Sequence, residues 1–94
     1  MISDTSRQAY NDIKEQLSDR QRMVFEYVKR LGPFCNFQIA KGLGWDINRV
    51  TPRVKELRDM GLLLDHGVKL SPTGKNAHFW KALEEFKDFQ LNLL

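Results

Sequence analysis

The sequence has little of what disulfide-bonded or membrane proteins need. It contains one cysteine in 94 residues, so Cys35 has no partner within the chain for a disulfide. The longest purely apolar run is Leu62 to Leu64, whereas a membrane-spanning helix needs about 20 residues. The chain turns polar at Ser3, which is unlike a signal peptide. We therefore expect a protein of the reducing cytoplasm that contacts no membrane.

Motifs for catalysis are also missing. The sequence contains no glycine-rich phosphate loop, no nucleophile elbow and no His-Glu-x-x-His motif. Cys35, His66 and His78 lack the spacing of metal ligands. We expect no catalytic residue, no cofactor, no metal and no small-molecule substrate, and hence a protein that is not an enzyme.

The net charge of +3 is small, but it is unevenly distributed. Residues 41–81 carry eight Lys or Arg and four Asp or Glu, whereas residues 82–94 carry one and three. The surplus in the middle of the chain indicates a local anionic partner. The acidic C-terminal stretch would stay away from that partner.

Helical spacing of apolar residues predicts two helices in the first third of the chain. The first spans Thr5 to Leu17. The second begins at a capping box formed by Ser18 and Gln21 and ends at Gly32-Pro33. The predicted core positions of this pair are Tyr10, Ile13, Leu17, Val24, Tyr27, Val28 and Leu31.

Two further helices are predicted around a tight turn. Asn36 is the expected N-cap of a short helix over Phe37 to Leu43, which Gly44 ends. Asp46 or Asn48 caps the next helix, which runs to Met60 and stops at Gly61. The inward positions predicted for this fourth helix are Ile47, Val50, Val54 and Leu57.

After Gly61 the helical period is lost, and short alternating segments predict strands. The segments "LLLD" and "VKL" are separated by an expected turn at "HG". "SPTG" is rich in turn-forming residues, and "NAHFW" alternates again. We predict a β-hairpin with its tip at Pro72 to Gly74. From Ala82 helical spacing returns and predicts a C-terminal helix.

The stretch "IAKGLGWDINRVTPRVKELRDMGLL" resembles the winged helix-turn-helix of bacterial and phage DNA-binding proteins, such as the MarR- and ArsR-like regulators. "LSPTGKNAHFWKAL" is similar to the wing of small phage and prophage proteins of this type. The resemblance covers about Ser18 to Lys81. It implies a mainly α fold with a small β-hairpin wing and helices at both termini. The length of the chain predicts a single domain over residues 1–94, with the winged-helix core at 18–81 and a C-terminal helix at 82–94.

The function implied by this resemblance is sequence-specific binding of double-stranded DNA, as a phage- or prophage-type transcriptional regulator. The fourth helix would enter the major groove, and the wing would contact the backbone or the minor groove. Two alternatives stay open: a module that docks another protein, and an architectural accessory protein in phage DNA replication or recombination. Glu56 and Asp59 fit the first alternative better, because phosphate would repel them.

The outward face of the fourth helix supplies the first set of candidate DNA contacts. These are Asn48, Arg49, Thr51, Pro52, Arg53 and Lys55. Asn48 can pair with adenine, Arg49 can pair with guanine, and Pro52 can touch a thymine methyl group. We expect the other three to contact phosphate, with Arg53 lying nearer the core and reaching out along its stem.

Pro52 is unexpected in a helix, because its interior positions need the backbone N–H that proline lacks. If Asn48 is the N-cap, Pro52 lies at the edge of the first turn, where proline costs little. If Asp46 is the N-cap, Pro52 lies in the second turn. If Thr51 is the N-cap, Pro52 opens the helix. We favour a cap at 46–48 followed by a tight or irregular first turn.

The wing supplies a second basic cluster, formed by Lys69, Lys75, Asn76 and His78. Gly74 at the hairpin tip allows a close approach of the backbone, and a lysine there can reach phosphate or the minor groove. The alternative is an ordinary hairpin whose lysines only maintain solubility.

The C-terminal stretch presents an apolar stripe of Phe86, Phe89 and Leu93. This stripe is large for so short a chain and favours pairing of two subunits as a homodimer. The alternative is that it covers the first helix of the same chain.

Overall fold

The computed structural model describes residues 11–83, which form four helices and one β-hairpin. Helix α1 is described over residues 11–15, and α2 spans Asp19–Leu31. The remaining elements are α3 (Asn36–Leu43), α4 (Ile47–Asp59), β1 (Leu63–Leu70) and β2 (Asn76–Ala82). The predicted start of the first helix and Tyr10 lie outside the described residues, whereas Ile13 and Leu17 pack against the core.

Helix α2 begins as predicted at a capping box. The backbone N–H of Gln21 donates to Ser18 Oγ at 3.2 Å, and the Ser18 N–H donates to Gln21 Oε1 at 2.9 Å. The prediction that Leu31 faces the core is wrong, because its side chain is 65% exposed. Phe25 is buried instead. The buried stripe is therefore centred between Val24 and Phe25, and Leu31 lies at its margin on the last residue of the helix.

Helix α3 starts one residue earlier than predicted, with Cys35 rather than Asn36 at the N-cap. The side chain of Asn36 is used elsewhere, since its Oδ1 accepts a hydrogen bond from Trp80 Nε1 at 2.8 Å. Gly44 ends the helix as predicted, in the left-handed conformation with φ of 70°. Within the helix, the hydroxyl and ring of Tyr27 occupy the space where a Cβ atom on Gly42 would lie, so α2 and α3 approach closely at this glycine.

Asp46 is the N-cap of α4, and its Oδ1 accepts from the Asn48 N–H at 2.8 Å. The first turn is tight, as expected: the Asp46 carbonyl accepts from the N–H of Arg49, three residues on, at 2.9 Å. In α2 the corresponding N-cap carbonyl accepts from a residue four positions on, Arg22. Pro52 therefore lies in the second turn of a helix that continues through it.

The tolerance of Pro52 follows from its position on the exposed side of α4. A regular helix would have residue 52 donate to the carbonyl of Asn48, and proline cannot do so. Both residues are exposed, so water can solvate that carbonyl. The Thr51 hydroxyl donates to the neighbouring Ile47 carbonyl at 3.1 Å. The missing bond thus stays out of the core.

The hairpin pairs β1 and β2 antiparallel, with Leu70 opposite Asn76 at the tip end and Leu63 opposite Ala82 at the base. The predicted turn at "HG" is wrong, because His66 and Gly67 form an irregularity inside one continuous strand. Gly67 has a φ of 99°, and its N–H donates to Asp65 Oδ1 at 2.8 Å. The chain thus bulges at this point without reversing direction.

The strand β2 also pairs with the segment before α3. Phe34 and Trp80 exchange backbone hydrogen bonds of 3.0 and 2.8 Å. The predicted C-terminal helix does not begin at Ala82, because this residue is still in β2 and opposite Leu63. The stripe of Phe86, Phe89 and Leu93 lies outside the described residues.

The core lies between the helices and the base of the hairpin. Its fully buried members include Phe25, Ile39, Leu57 and Leu62. Ile47 does not belong to it as predicted, because the first residue of α4 lies beyond the packed surface and is 41% exposed. Helices α3 and α4 are joined by a turn of only three residues, 44–46, which fixes the second helix across the first.

Candidate nucleic-acid interface

The first two turns of α4 present an exposed surface on one side of the helix, and buried residues on the other side fix the helix to the core. Val50, Val54 and Leu57 anchor the helix in the core. The three residues predicted to contact bases, Asn48, Arg49 and Pro52, are exposed, and so is Thr51, which was predicted to contact phosphate. The buried stripe thus determines which side chains of α4 face outward.

The turn before α4 positions Arg49. The Trp45 N–H donates to the Ala40 carbonyl at 2.9 Å, and the Trp45 ring packs against the core. The Arg49 guanidinium carbon lies 6.0 Å from the centre of this ring, a distance at which the cation and the ring attract each other. Among residues 11–83, Arg49 has no carboxylate within ion-pair distance, so its hydrogen-bond donors are available to an anion.

Arg53 lies nearer the core than its neighbours on the outward face, as predicted, and its guanidinium is paired with Glu56. Its Nε and one terminal nitrogen donate to the two carboxylate oxygens of Glu56, at 2.7 and 2.9 Å. Gln21 of α2 donates to the same carboxylate at 2.9 Å. The hydrogen bonds from Arg53 and then Gln21 lower the pKa of Glu56, and the bond to Glu56 raises the pKa of Arg53. Arg53 thus holds the Glu56 carboxylate, which links α4 to Gln21 of α2.

Lys55 is paired more loosely. Its ammonium lies 3.0 Å from Asp59 Oδ2, and both side chains are largely exposed. An exposed ion pair at this helical spacing contributes only about 0.3–0.5 kcal/mol, so Lys55 can exchange Asp59 for another anion at small cost.

The tip of the wing is a tight turn over residues 71–75. The Ser71 N–H donates to the Lys75 carbonyl at 2.8 Å, and the Gly74 N–H donates to the Ser71 carbonyl at 2.9 Å. Gly74 has a φ of 87°, which other residues rarely adopt. Lys75 and Asn76 are exposed beside it.

The four predicted wing residues do not form one cluster. Lys69 lies opposite Ala77, whereas Asn76 and His78 alternate with Ala77 along β2. Successive strand residues point to opposite faces, so Lys69 lies on the face away from Asn76 and His78. Its ammonium is 5.7 Å from the ring of Phe79. The strand register therefore separates Lys69 from the other candidate contacts.

His78 is held by its neighbours. Its Nδ1 lies 3.1 Å from Asp65 Oδ2, and its ring stacks on that of Trp80. The pKa of Asp65 is lowered, first by the hydrogen bond from the Gly67 N–H and also by the charges of His78 and Arg58. His78 is thus held within the wing, opposite Val68 and two residues along β2 from Asn76.

A groove of about 600 Å³ separates α4 from the hairpin. Its lining includes Arg58 and Asn36, which were not among the predicted DNA contacts. The Arg58 guanidinium carbon lies 4.4 Å from the centre of the Trp80 ring. Arg58 follows Lys55 by three positions and Thr51 by seven, so helical spacing alone could have placed it on this side. Its contact with Trp80 joins residues 22 positions apart and has no local signal.

The architecture has a counterpart among solved structures. No model of a protein family matches the chain, and no curated protein is significantly similar to it. A structure described as a "possible transcriptional regulator from Methanosarcina mazei Go1" superposes with a TM-score of 0.63 at 16% sequence identity. The match covers 86% of this chain and 71% of the other.

The fold is a winged helix-turn-helix. Helices α3 and α4 form the helix-turn-helix, the β1–β2 hairpin is the wing, and Phe34 forms an isolated β-bridge with Trp80. In the part of the chain that the structure describes, no helix is long and apolar enough to cross a membrane.

Proposed function

We propose that the chain binds duplex DNA as a sequence-specific transcriptional regulator. The first two turns of α4 would lie in the major groove, and the wing tip at Lys75 and Asn76 would contact the adjacent backbone or minor groove. The bound form would be a homodimer in the cytoplasm. The similarity of the wing sequence to small phage and prophage proteins favours that type of regulator.

One observation carries this proposal: the distribution of charge along α4. Amide, hydroxyl and guanidinium groups occupy the exposed first turns at Asn48, Arg49 and Thr51. The two acidic residues, Glu56 and Asp59, lie in the second half and are each held by a cation of the same helix. The first half of α4 itself therefore carries no acidic side chain, and the adjacent N-cap residue, Asp46, uses one carboxylate oxygen to accept from the Asn48 N–H. The structural neighbour from Methanosarcina mazei, which is described as a possible transcriptional regulator, has the same fold.

Selection of bound sequences from a random duplex pool, followed by titration, tests the proposal. We expect an enriched sequence motif, and we expect Arg49→Ala to weaken binding to the selected site by about 1–3 kcal/mol while affecting random duplex much less. Arg30→Ala is the matched control, because Arg30 is an exposed arginine in the last turn of α2. Failure of the unmodified protein to bind any duplex at low salt would overturn the proposal.

A protein-docking module is the second candidate, and one observation favours it. Val68 and Leu70, on the wing face that also carries Asn76 and His78, are 55% and 69% exposed. Exposed apolar side chains beside a basic tip suit contact with a protein partner. Titration with random duplex at two salt concentrations separates the candidates, because binding through phosphate weakens steeply as salt is raised.

A further inference from the structure

Four side chains form a continuous row across the junction between α4 and the wing. The row begins with Arg58 in the last turn of α4, whose guanidinium carbon lies 4.4 Å from the Trp80 ring centre. The His78 ring stacks on Trp80 with centres 5.6 Å apart and planes inclined by 10°. His78 Nδ1 then lies 3.1 Å from Asp65 Oδ2 on the facing strand. We call these four residues the junction row.

The centre of the junction row is fixed to the body of the protein. Trp80 is only 6% exposed, and its Nε1 donates to Asn36 Oδ1 at 2.8 Å. Its backbone is bonded in both directions to Phe34. Trp80 therefore connects α3, the segment that precedes it and the wing, and Arg58 adds α4 to this connection.

The far end of the row reaches the bulge in β1. Asp65 binds His78 through one carboxylate oxygen and accepts from the Gly67 N–H through the other, at 2.8 Å. Beyond this bulge the strand carries the exposed Val68 and Leu70. The row thus ends where the wing leaves the packed core.

The row is better suited to holding the wing than to binding phosphate. The Arg58 guanidinium lies over the Trp80 ring, with its carbon 4.4 Å from the ring centre. The carboxylates of Asp59 and Asp65 line the same groove as Arg58, and they would repel a phosphate there. A planar guanidinium stacked on an indole ring defines an orientation, which a flexible ammonium does not.

We propose that Arg58 and the junction row are positioning residues that hold the wing at a fixed angle to α4, so that the wing tip and the first turns of α4 engage one duplex together. This inference rests on the proposed function. A two-stranded hairpin is marginally stable alone, so its orientation must come from contacts with the rest of the domain. When the wing is held in place, its contact with DNA adds to that of α4 as an intramolecular step.

A double-mutant cycle in duplex binding tests the inference, with Arg58→Met and Lys75→Ala as its two changes. We expect Arg58→Met to weaken binding by about two- to fivefold, the factor that an exposed cation–π contact supports. In the Lys75→Ala background the same change should have almost no further effect, because the wing contact is already lost. Additive losses, with a further fall of about 0.9 in the salt slope, would overturn the inference in favour of a phosphate contact.

Arg58→Lys separates the same two explanations without changing the charge. A phosphate contact would survive this substitution. A positioning role would not, because lysine cannot stack its charge in a planar arrangement on Trp80. We expect Arg58→Lys to bind as weakly as Arg58→Met, and full affinity in the lysine variant would contradict the inference.

Residual dipolar couplings of the backbone amides test the wing angle without DNA. In the unmodified protein, β1, β2 and the helices should fit one alignment tensor. In Arg58→Met and in Asp65→Asn, at the other end of the row, the wing should require its own tensor while the helices keep theirs. A single shared tensor in both variants would overturn the inference. A protein that binds no duplex but shows the separated tensors would contradict only the proposed function.

Discussion

At the scale of single residues, Arg53 shows how a neighbour changes what a basic side chain can do. From the sequence it is one of several cations on α4, but its two hydrogen bonds to Glu56 leave it 24% exposed. Forming a phosphate contact would require Arg53 to leave a carboxylate that Gln21 also binds. Arg49, with only an aromatic ring beside it, has no such competitor among the described residues.

Replacing Arg53 with methionine keeps most of the stem and removes the ion pair. We expect Arg53→Met to lower the free energy of unfolding by less than about 1 kcal/mol, since the pair is partly solvated. We expect the salt slope of duplex binding to stay unchanged. Urea titration and binding at several salt concentrations measure the two quantities, and a slope reduced by about 0.9 would instead show that Arg53 contacts phosphate.

The Glu56 carboxylate predicts a pH dependence of stability. Its pKa in the folded protein lies below the ordinary value of 4.5, chiefly because Arg53 and then Gln21 donate hydrogen bonds to it. A group with a lowered folded pKa stabilises the protein fully above its unfolded pKa, and this contribution is lost as the pH falls through the folded pKa. The free energy of unfolding should therefore decline as the pH is lowered below about 4.5.

The substitution Glu56→Gln should make that decline shallower, because glutamine does not titrate. Thermal unfolding between about pH 3 and pH 6 measures the effect. Glu15→Gln, at an exposed carboxylate of α1, is the control. An equally steep decline in Glu56→Gln and the unmodified protein would show that the link between Arg53, Glu56 and Gln21 contributes nothing to stability.

At the scale of elements, α4 has a capped N-terminus that stabilises it and a proline in its second turn that destabilises it. Asp46 caps it, and Pro52 removes a backbone donor six residues later. We expect Pro52→Ala to raise the free energy of unfolding by about 1–2 kcal/mol, since the roughly 3 kcal/mol cost of an interior proline is partly accommodated and the unfolded chain becomes freer. Chemical denaturation measures this, and a loss of stability would show that the rigidity of Pro52 matters more than the missing bond.

Elements whose ends depend on local chemistry were predicted well from the sequence. The capping box at Ser18 and the left-handed Gly44 lie where expected, because each acts within one turn of the chain. Predictions failed where a distant partner decides. Asn36 gives its side chain to Trp80, 44 residues away, and is not a cap.

In the candidate site, too, features set by local sequence were predicted, and features set by distant partners were not. Helical spacing was sufficient to predict that Asn48, Arg49 and Thr51 are exposed, because the periodicity of apolar residues shows which side of a helix is buried. It could not show that Lys69 lies on the opposite face of the wing from His78, since that depends on the strand register. Helical spacing could place Arg58 on the same side of α4 as Thr51, but it could not show the contact with Trp80, which exists only once the hairpin packs against α4.

At the scale of the whole molecule, the oligomeric state stays a prediction from the sequence. Phe86, Phe89 and Leu93 lie outside the described residues, and we expect them to pair two chains. Sedimentation equilibrium should give a dimer for the unmodified protein and a monomer for a variant carrying Phe86→Asp and Phe89→Asp, with circular dichroism unchanged. A monomeric unmodified protein would contradict the prediction and favour coverage of the stripe within one chain.

The hydrogen bond between Gln21 and Glu56 divides α4 into two parts for protein engineering. Residues 47–52 have exposed side chains apart from Val50, so new sequences grafted there could redirect target choice without disturbing the scaffold. Residues 53–56 are tied to α2 through that bond. A graft that extends past residue 52 should be accompanied by a compatible residue at position 21. Otherwise the grafted helix would lack the hydrogen bond that joins α4 to α2.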